Sequence, residues 1–148
     1  MDHDKKGGGD AQGCRVVFSD IDGTLLDSSH QVTRATREEI RKLERQGIPF
    51  VLVSARMPEA MTTIQAQIGI HSPMVCYSGA LVVGEEGEYI HSCQIKLHKA
   101  AKIKHMLDQD FPSICCNTYG GSKWAVDDVS DPWVRREAEI TTLKVFGG

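Results

Sequence analysis

Asp20 and Asp22 stand one residue apart in VVFSDIDGTLLDSS (residues 16–29), directly behind an apolar run. On an extended chain, carboxylates so spaced point to opposite sides, and gathered into one site they repel. The arrangement makes chemical sense when a divalent cation sits between them and the chain turns sharply. Gly23 permits such a turn, and Thr24 sets a hydroxyl beside it. A carboxylate together with a backbone carbonyl is typical hard-oxygen ligation for Mg²⁺, which makes Asp20 and Asp22 the candidate metal residues. An aspartate at a strand end is ordinarily a turn or cap residue. That use does not account for the pair.

The flanking segments say where the pair must sit. RVVFSD (15–20) reads as a short buried strand, rich in β-branched and aromatic residues. TRATREEIRKLERQG reads as a helix, with Thr33 as N-cap, Gly47 just past its end, and Thr36, Ile40 and Leu43 on one face. Glu38 and Lys42 have the spacing of an ion pair on that helix. IPFVLVS (48–54) is a second strand. MPEAMTTIQAQIG is a second helix, with Pro58 in its first turn and Met61, Ile64 and Ile68 facing inward. PMVCYS (73–78) is a third strand. Alternation of this kind implies right-handed βαβ units and a parallel sheet. Asp20 and Ser54 are then one unit apart and share the carboxyl edge of the sheet, where open α/β sheets bind ligands.

After Val83 the pattern changes. ALVVGEEGEYIHSCQI reads as a hairpin around Gly84–Gly87, and LHKAAKIKHMLDQD as an amphipathic helix with Ala100, Ile103 and Leu107 inward. SICCNTYGGSKWAVDD is a hairpin turned at Gly120–Gly121, DPWVRREAE opens a helix on Asp–Pro, and ITTLKVFGG is a last strand. Antiparallel elements after a parallel start point to an inserted second unit. The layout expected is a mobile tail (1–14), a first α/β part (15–95) and a second α+β part (96–148).

Bulk properties narrow the class. The chain has 148 residues, 41% apolar and 25% charged, with net charge −3. Those figures suit a soluble globular protein. No basic stripe points to nucleic acid, no apolar run approaches a bilayer span, and the N-terminus carries no h-region, so a cytoplasmic address follows by default. Five cysteines without a CxxC spacing read as free buried thiols, and the six histidines include no HxxxH pair, so neither type suggests a metal site.

The stretch D-x-D-G-T-L after an apolar strand resembles the first motif of the haloacid dehalogenase (HAD) superfamily. The resemblance implies a Rossmann-like core and Mg²⁺-dependent phosphoryl transfer. Asp20 would be the nucleophile that forms an aspartyl-phosphate, and Asp22 the acid/base that protonates the leaving oxygen and later deprotonates water. Mg²⁺ would touch the Asp20 carboxylate and the Asp22 carbonyl. Gly23 and Thr24 would lie against the phosphoryl group, and Ser54 would hydrogen-bond one of its oxygens. Arg56 matches the arginine of a common TGR variant, here SAR, and would contact substrate or pair at the surface. Ser78 and Gly79 fall on an NGA-like turn, with Ser78 where Asn is usual.

From Asp20 to about Val83 the pacing resembles the Cof-type branch, subclass IIB, whose members carry an α+β C2-type cap after the third strand and act on small phosphorylated metabolites such as sugar phosphates, nucleotides and cofactor phosphates. Residues 96–148 look like the first part of such a cap. The family's third motif, a Lys or Arg, and its fourth, an acidic GDxxxD-like motif, have no match here. Lys96, Lys99, Lys102, Lys104, Lys123 and Lys144 fall in cap segments, and Asp127, Asp128 and Asp131 follow no parallel strand. The expectation is a truncated, catalytically incomplete member whose sheet keeps an open edge and self-associates through it. A catalytically inactive fragment or binding module, or phosphomannomutase-type phosphotransfer, stands as the alternative. A receiver-like domain fails, because the third strand carries no aspartate.

Overall fold

The computed structural model describes residues 13–141 and 143–147. The expected tail lies outside the described residues except for Gly13 and Cys14. Strand β1 (Val17–Asp20), helix α1 (Arg34–Arg45), β2 (Phe50–Val53), α2 (Pro58–Ile68) and β3 (Met74–Cys76) form the anticipated parallel unit. Thr33 caps α1, its Oγ1 accepting the Thr36 N–H at 3.2 Å. Gly69 ends α2 at φ 78°, where the Arg41 guanidinium packs so closely that a Cβ would lie 2.6 Å from it. Arg41 also donates to the Ile68 carbonyl, so the last turn of α2 is capped by α1. Between these helices and the sheet lies a core of Ile21, Leu52, Met61, Ile68 and Cys76, all fully buried.

Strands β4 (Leu81–Val83) and β5 (Tyr89–Ser92) depart from the expected order. They do not begin a second unit; they extend the first sheet antiparallel, in the order β1-β2-β3-β4-β5. The alternation of buried Leu81 and Val83 with half-buried Val82 explains it: the same face that covers β3 continues over β4. Among the described residues β1 lies at one edge of this sheet.

The second sheet starts later. After α3 (Leu97–Asp110), strands β6 (Asn117–Gly120) and β7 (Lys123–Val126) pair antiparallel. Helix α4 (Pro132–Thr141) then crosses to β8 (Val145–Gly147), parallel to β7. Its core, Trp124, Val126 and Val134, packs on Met57 and Ala60 at the start of α2. A run of rings joins the two units: Tyr77 lies 5.9 Å from Tyr119, which stacks on Trp124 at the same spacing. Trp124 donates from Nε1 to Asn117 Oδ1 at 2.9 Å, which satisfies its buried polar group.

Several local expectations need correction. Helix α3 fully buries no side chain: Ala100 and Leu107 are half-covered, while Ile103 is 43% exposed. Ile140 and Thr141 stay in α4, so β8 begins only at Val145. Lys42 pairs with Glu39, because Arg34 already holds Glu38. All five cysteines are free, but only Cys76 is buried; Cys14 and Cys93 are exposed, and Cys115–Cys116 precede β6 rather than lying in it. Among the described residues no helix is long and apolar enough to cross a membrane.

Candidate active site

Parallel register builds the site. Asp20 pairs with Val53 and Val53 with Val75, so Asp20, Ser54 and the turn after Cys76 arrive at one edge. Backbone bonds tie the three together: the Ser54 N–H donates to the Val75 carbonyl, and the Ser78 N–H to the Ser54 carbonyl, both at 3.0 Å. Beyond Asp20 the chain folds back on the buried Ile21, whose carbonyl accepts the Leu25 and Leu26 N–H groups at 3.0 and 3.1 Å. The reversal runs through Gly23 at φ 76°, a left-handed conformation that a side chain would strain.

This turn separates the two carboxylates. Asp20 is exposed, and its Oδ2 accepts the Thr24 hydroxyl at 2.9 Å. Asp22 is clamped by Arg56, which donates from Nε to Oδ2 at 2.9 Å and from Nη2 to Oδ1 at 2.6 Å. The Arg56 side chain is only 10% exposed, that of Asp22 52%. A planar guanidinium held in this fork fixes the carboxylate in both position and plane. Ser54 is 7% exposed, and its Oγ accepts the Arg56 N–H at 3.2 Å, leaving its own O–H to donate elsewhere.

The third loop is strained. Tyr77 and Ser78 have φ of 50° and 53° in succession, and Gly79 follows at 95°. Consecutive left-handed residues other than glycine are costly, and such strain collects at functional loops. Burial, with Glu59 nearby, pushes the Cys76 thiol up to about 11 and the Tyr77 hydroxyl up to about 12. Both are therefore neutral at physiological pH.

The residues present fit a water-rich divalent cation. Mg²⁺ keeps several waters and commonly takes only one or two protein carboxylates. Asp20 supplies an exposed carboxylate, and among the described residues no hydrogen bond engages the Asp22 carbonyl. Among those residues no group of three or more His, Cys, Asp or Glu could hold a metal. The acids left unassigned by the motif have structural partners: Asp127 receives Lys104 and the Cys116 N–H, Asp128 caps Ser130, and Asp131 caps α4 through the Trp133 and Val134 N–H groups.

The family model for haloacid dehalogenase-like hydrolase matches residues 17–144. The chain belongs to this family. A Haemophilus influenzae protein named as a presumptive phosphatase is 34% identical over 131 residues, covering 88% of this chain and 50% of that one. The phosphoglycolate phosphatase of Thermoplasma volcanium is 26% identical over 139 residues, 89% of this chain and 60% of that one. A haloacid dehalogenase-like hydrolase from Bacteroides thetaiotaomicron superposes with TM-score 0.81 at 19% identity, over 92% of this chain and 52% of that chain. A HAD subclass IIB sugar phosphatase gives 0.70 at 18% identity, over 90% of this chain and 52% of that one. The α/β fold with its second small sheet is thus the HAD fold of the Cof-type subclass IIB, and the chain spans about half the length of the first relatives it matches.

Against this HAD framework, the structure brings Asp20, Asp22, Gly23, Thr24, Ser54 and Arg56 together at the carboxyl edge, with Ser78 and Gly79 on the adjoining turn. Arg56, expected to meet substrate or pair at the surface, is occupied by Asp22. Sequence spacing gave no sign of that pair, since residues 34 apart signal contact only once the register of β1 on β2 is known. The Tyr77–Tyr119–Trp124 run also escaped notice, as it joins two sheets with no local pattern to announce it.

Proposed function

We propose that the Asp20–Thr24 loop is the phosphoryl-transfer site of a Mg²⁺-dependent phosphatase acting on small phosphorylated metabolites. One observation carries this reading: Asp20 stands exposed at the carboxyl edge of the parallel sheet, with a second carboxylate two residues on that is independently oriented by Arg56. A nucleophile and a separately held acid are what hydrolysis through a covalent intermediate needs. An Asp20 oxygen bonds to phosphorus as the ester P–O bond breaks, and Asp22 gives the leaving oxygen its proton. Water then attacks the aspartyl-phosphate, Asp22 takes the proton, and inorganic phosphate departs. Ser54 donates its hydroxyl to a phosphoryl oxygen, and the Gly23, Thr24, Ser78 and Gly79 backbone borders the same space. Asp20 and the Asp22 carbonyl would hold Mg²⁺, which would supply positive charge against the transferring group.

The small-metabolite class is supported by relatives named for phosphoglycolate and for glucosyl- or mannosyl-3-phosphoglycerate, and by a structural neighbour named as a sugar phosphatase. In this reading residues 96–148 are the first part of a cap over the site. Residues 1–148 alone are a weak or silent catalyst in this reading, because among the described residues no group of three or more His, Cys, Asp or Glu gathers to hold the cation. Self-association through β1 belongs to the same proposal: among the described residues the strand has no outer neighbour, and Phe18 on it is 63% exposed. Light scattering reporting a monomer at all concentrations would remove that part.

The test of the site is p-nitrophenyl phosphate hydrolysis with and without Mg²⁺, alongside backbone-amide shifts on adding inorganic phosphate. Phosphate with Mg²⁺ is expected to shift residues 20–24, 54–56 and 78–79, with any turnover lost in Asp20→Asn. Turnover that survives Asp20→Asn, or phosphate shifts confined to other segments, would overturn the reading. Fast Mg²⁺-dependent turnover would instead show that the chain completes its own site.

A further inference from the structure

Helix α3 (Leu97–Asp110) fully buries no side chain, and an ion pair from Lys104 to Asp127, at 3.1 Å, ties it to the end of β7. Ala100, Lys104 and Leu107 form its half-covered side. About a quarter-turn round the helix lies a second stripe, Lys99, Ile103, Met106 and Asp110, all exposed. Steps of four, three and four residues are those of a helix–helix seam, here with two apolar residues at the centre and one charge at each end. Among the described residues no salt bridge engages Lys99 or Asp110. The charges also run against the helix that carries them. Its first turn holds His98 and Lys99 and no acid, and its last turn Asp108 and Asp110 and no base. A helix macrodipole favours the opposite placement, so this polarity does not serve α3 alone.

We propose that this stripe is the interface of a weak, symmetric dimer, in which α3 of one copy lies antiparallel to α3 of a second copy of this chain. The register follows from the sequence. Lys99 and Asp110 lie equally far from the midpoint of the stripe, and so do Ile103 and Met106. A two-fold axis through that midpoint sets each Lys99 opposite an Asp110 and each Ile103 opposite a Met106. Antiparallel packing also brings each basic helix start to the negative end of its neighbour, which removes the conflict with the macrodipole. A parallel pair would instead set Lys99 on Lys99 and Asp110 on Asp110, and the like charges would repel. Exposed Ile95 stands just before the helix and exposed Phe111 and Ile114 just after it, so apolar surface is at hand beyond both ends. Size sets the strength. The 14 residues of α3 make a rod about 21 Å long and about 10 Å wide, a contact below the roughly 1,200 Å² of a standard interface, so the Kd falls at about 10–100 µM. This surface uses no residue of β1 or of the Asp20–Thr24 loop, and the inference stands apart from the phosphatase reading.

The experiment is sedimentation equilibrium of the whole chain from about 1 to 300 µM, a range that brackets the expected Kd, with charge reversals in the stripe. The native chain is expected to pass from monomer to dimer across that range. Lys99→Asp or Asp110→Lys alone sets like charges opposite each other at both ends of the contact and should raise the Kd by about five- to thirtyfold. The double variant, carrying both reversals, restores opposite charges and is expected to return the Kd to within about threefold of native. Each reversal agrees with the macrodipole, so helix content by circular dichroism should not fall in any of the three, which separates lost pairing from lost folding. Phe18→Lys, on β1, removes any larger species formed through the sheet edge and leaves this dimer in place. A monomer at every concentration overturns the proposal. So does a double variant as weak as the two singles, or a dimer that only Phe18→Lys abolishes. A monomer that sediments with phosphatidylserine vesicles would give α3 to a lipid surface and likewise overturn the dimer.

Discussion

The Asp22–Arg56 clamp makes an unequal prediction about its two halves. The guanidinium is nearly covered while the carboxylate is half in water, so the loss of either partner strands a different kind of charge. Asp22→Ala leaves a covered cation without its fork of acceptors, at a cost of about 1.5–3 kcal/mol, below the 3–5 kcal/mol of a fully buried pair because water reaches one side. Arg56→Met keeps the apolar stem and leaves a carboxylate that water resolvates, at a cost of about 0.5–1 kcal/mol. The double variant loses both charges together and is expected to cost less than the two singles added, with a coupling of about 1–2 kcal/mol. Urea unfolding of the four proteins measures this, and repeating it in 0.5 M NaCl should shrink the coupling only in part, since one member is shielded from salt. Single variants that simply add, within about 0.3 kcal/mol, would refute the clamp. An Arg56→Met effect larger than that of Asp22→Ala would refute the burial argument behind it.

Other expectations concern strain, thiols and acid. Ser78→Asn places a residue tolerant of the left-handed region where φ is 53°, and should raise stability by about 0.5–1 kcal/mol in thermal unfolding; a lower melting temperature would mean that the loop is not strained there. Iodoacetamide at pH 8 should label exposed Cys14 and Cys93 within minutes by mass spectrometry and spare Cys76, which is fully buried with its thiol pushed up to about 11; equal labelling would contradict the core. In the second sheet, the Cys116 N–H and then Lys104 hold the Asp127 carboxyl below its ordinary range, and Ser130 does the same for Asp128. A depressed folded value means that the stabilisation is fully present above about pH 4 and is lost as pH falls through the folded values. Trp124 fluorescence should therefore report acid loosening below pH 4, and Asp127→Asn should flatten that limb; an unchanged acid limb would assign the effect elsewhere.

What could be read in advance, and what could not, divides by the range of the interactions involved. The strands and helices up to β3 carry their own period, caps and breakers: Thr33, Gly47, Pro58 and Gly69 each act within a few residues and stand where local chemistry puts them. Asp20 and Ser54 were placed at one edge because right-handed βαβ crossovers leave little choice. The hairpin 81–92 falls within the first part, 15–95, but its pairing onto the parallel sheet is not legible locally, because its alternation fits any half-buried sheet and only the free edge of β3 decides which sheet it joins. Helix α3 was given an inward face at Ala100, Ile103 and Leu107. Its stripe is real in sequence, but the described residues leave Ile103 43% exposed. Amphipathic spacing states what a helix offers, not what meets it.

The same distinction separates the two aspartates. Their spacing announced a shared charge problem, and in the structure the solution is not a shared site. Gly23 turns the chain so that Asp20 faces solvent beside Thr24, while Asp22 turns to Arg56 across the β1–β2 step. A nucleophile has to be desolvated and approached by phosphorus, so it cannot be sealed in a tight ion pair. An acid/base has to keep its direction while its proton comes and goes, and a rigid fork on one flank gives it that direction. In the proposed reading, the exposed carboxylate is the one that attacks and the clamped one carries the proton. The turn at Gly23 is what lets one short loop hold both. A substitution there, Gly23→Ala, requires φ to leave the left-handed region or a strain of about 1 kcal/mol or more to be borne. Because open space surrounds the absent Cβ, the strain is conformational and not steric crowding. Gly23→Asn, tolerant of that region, should then restore most of the stability that Gly23→Ala removes, and equal losses in the two would mean that something other than backbone conformation holds glycine at this position.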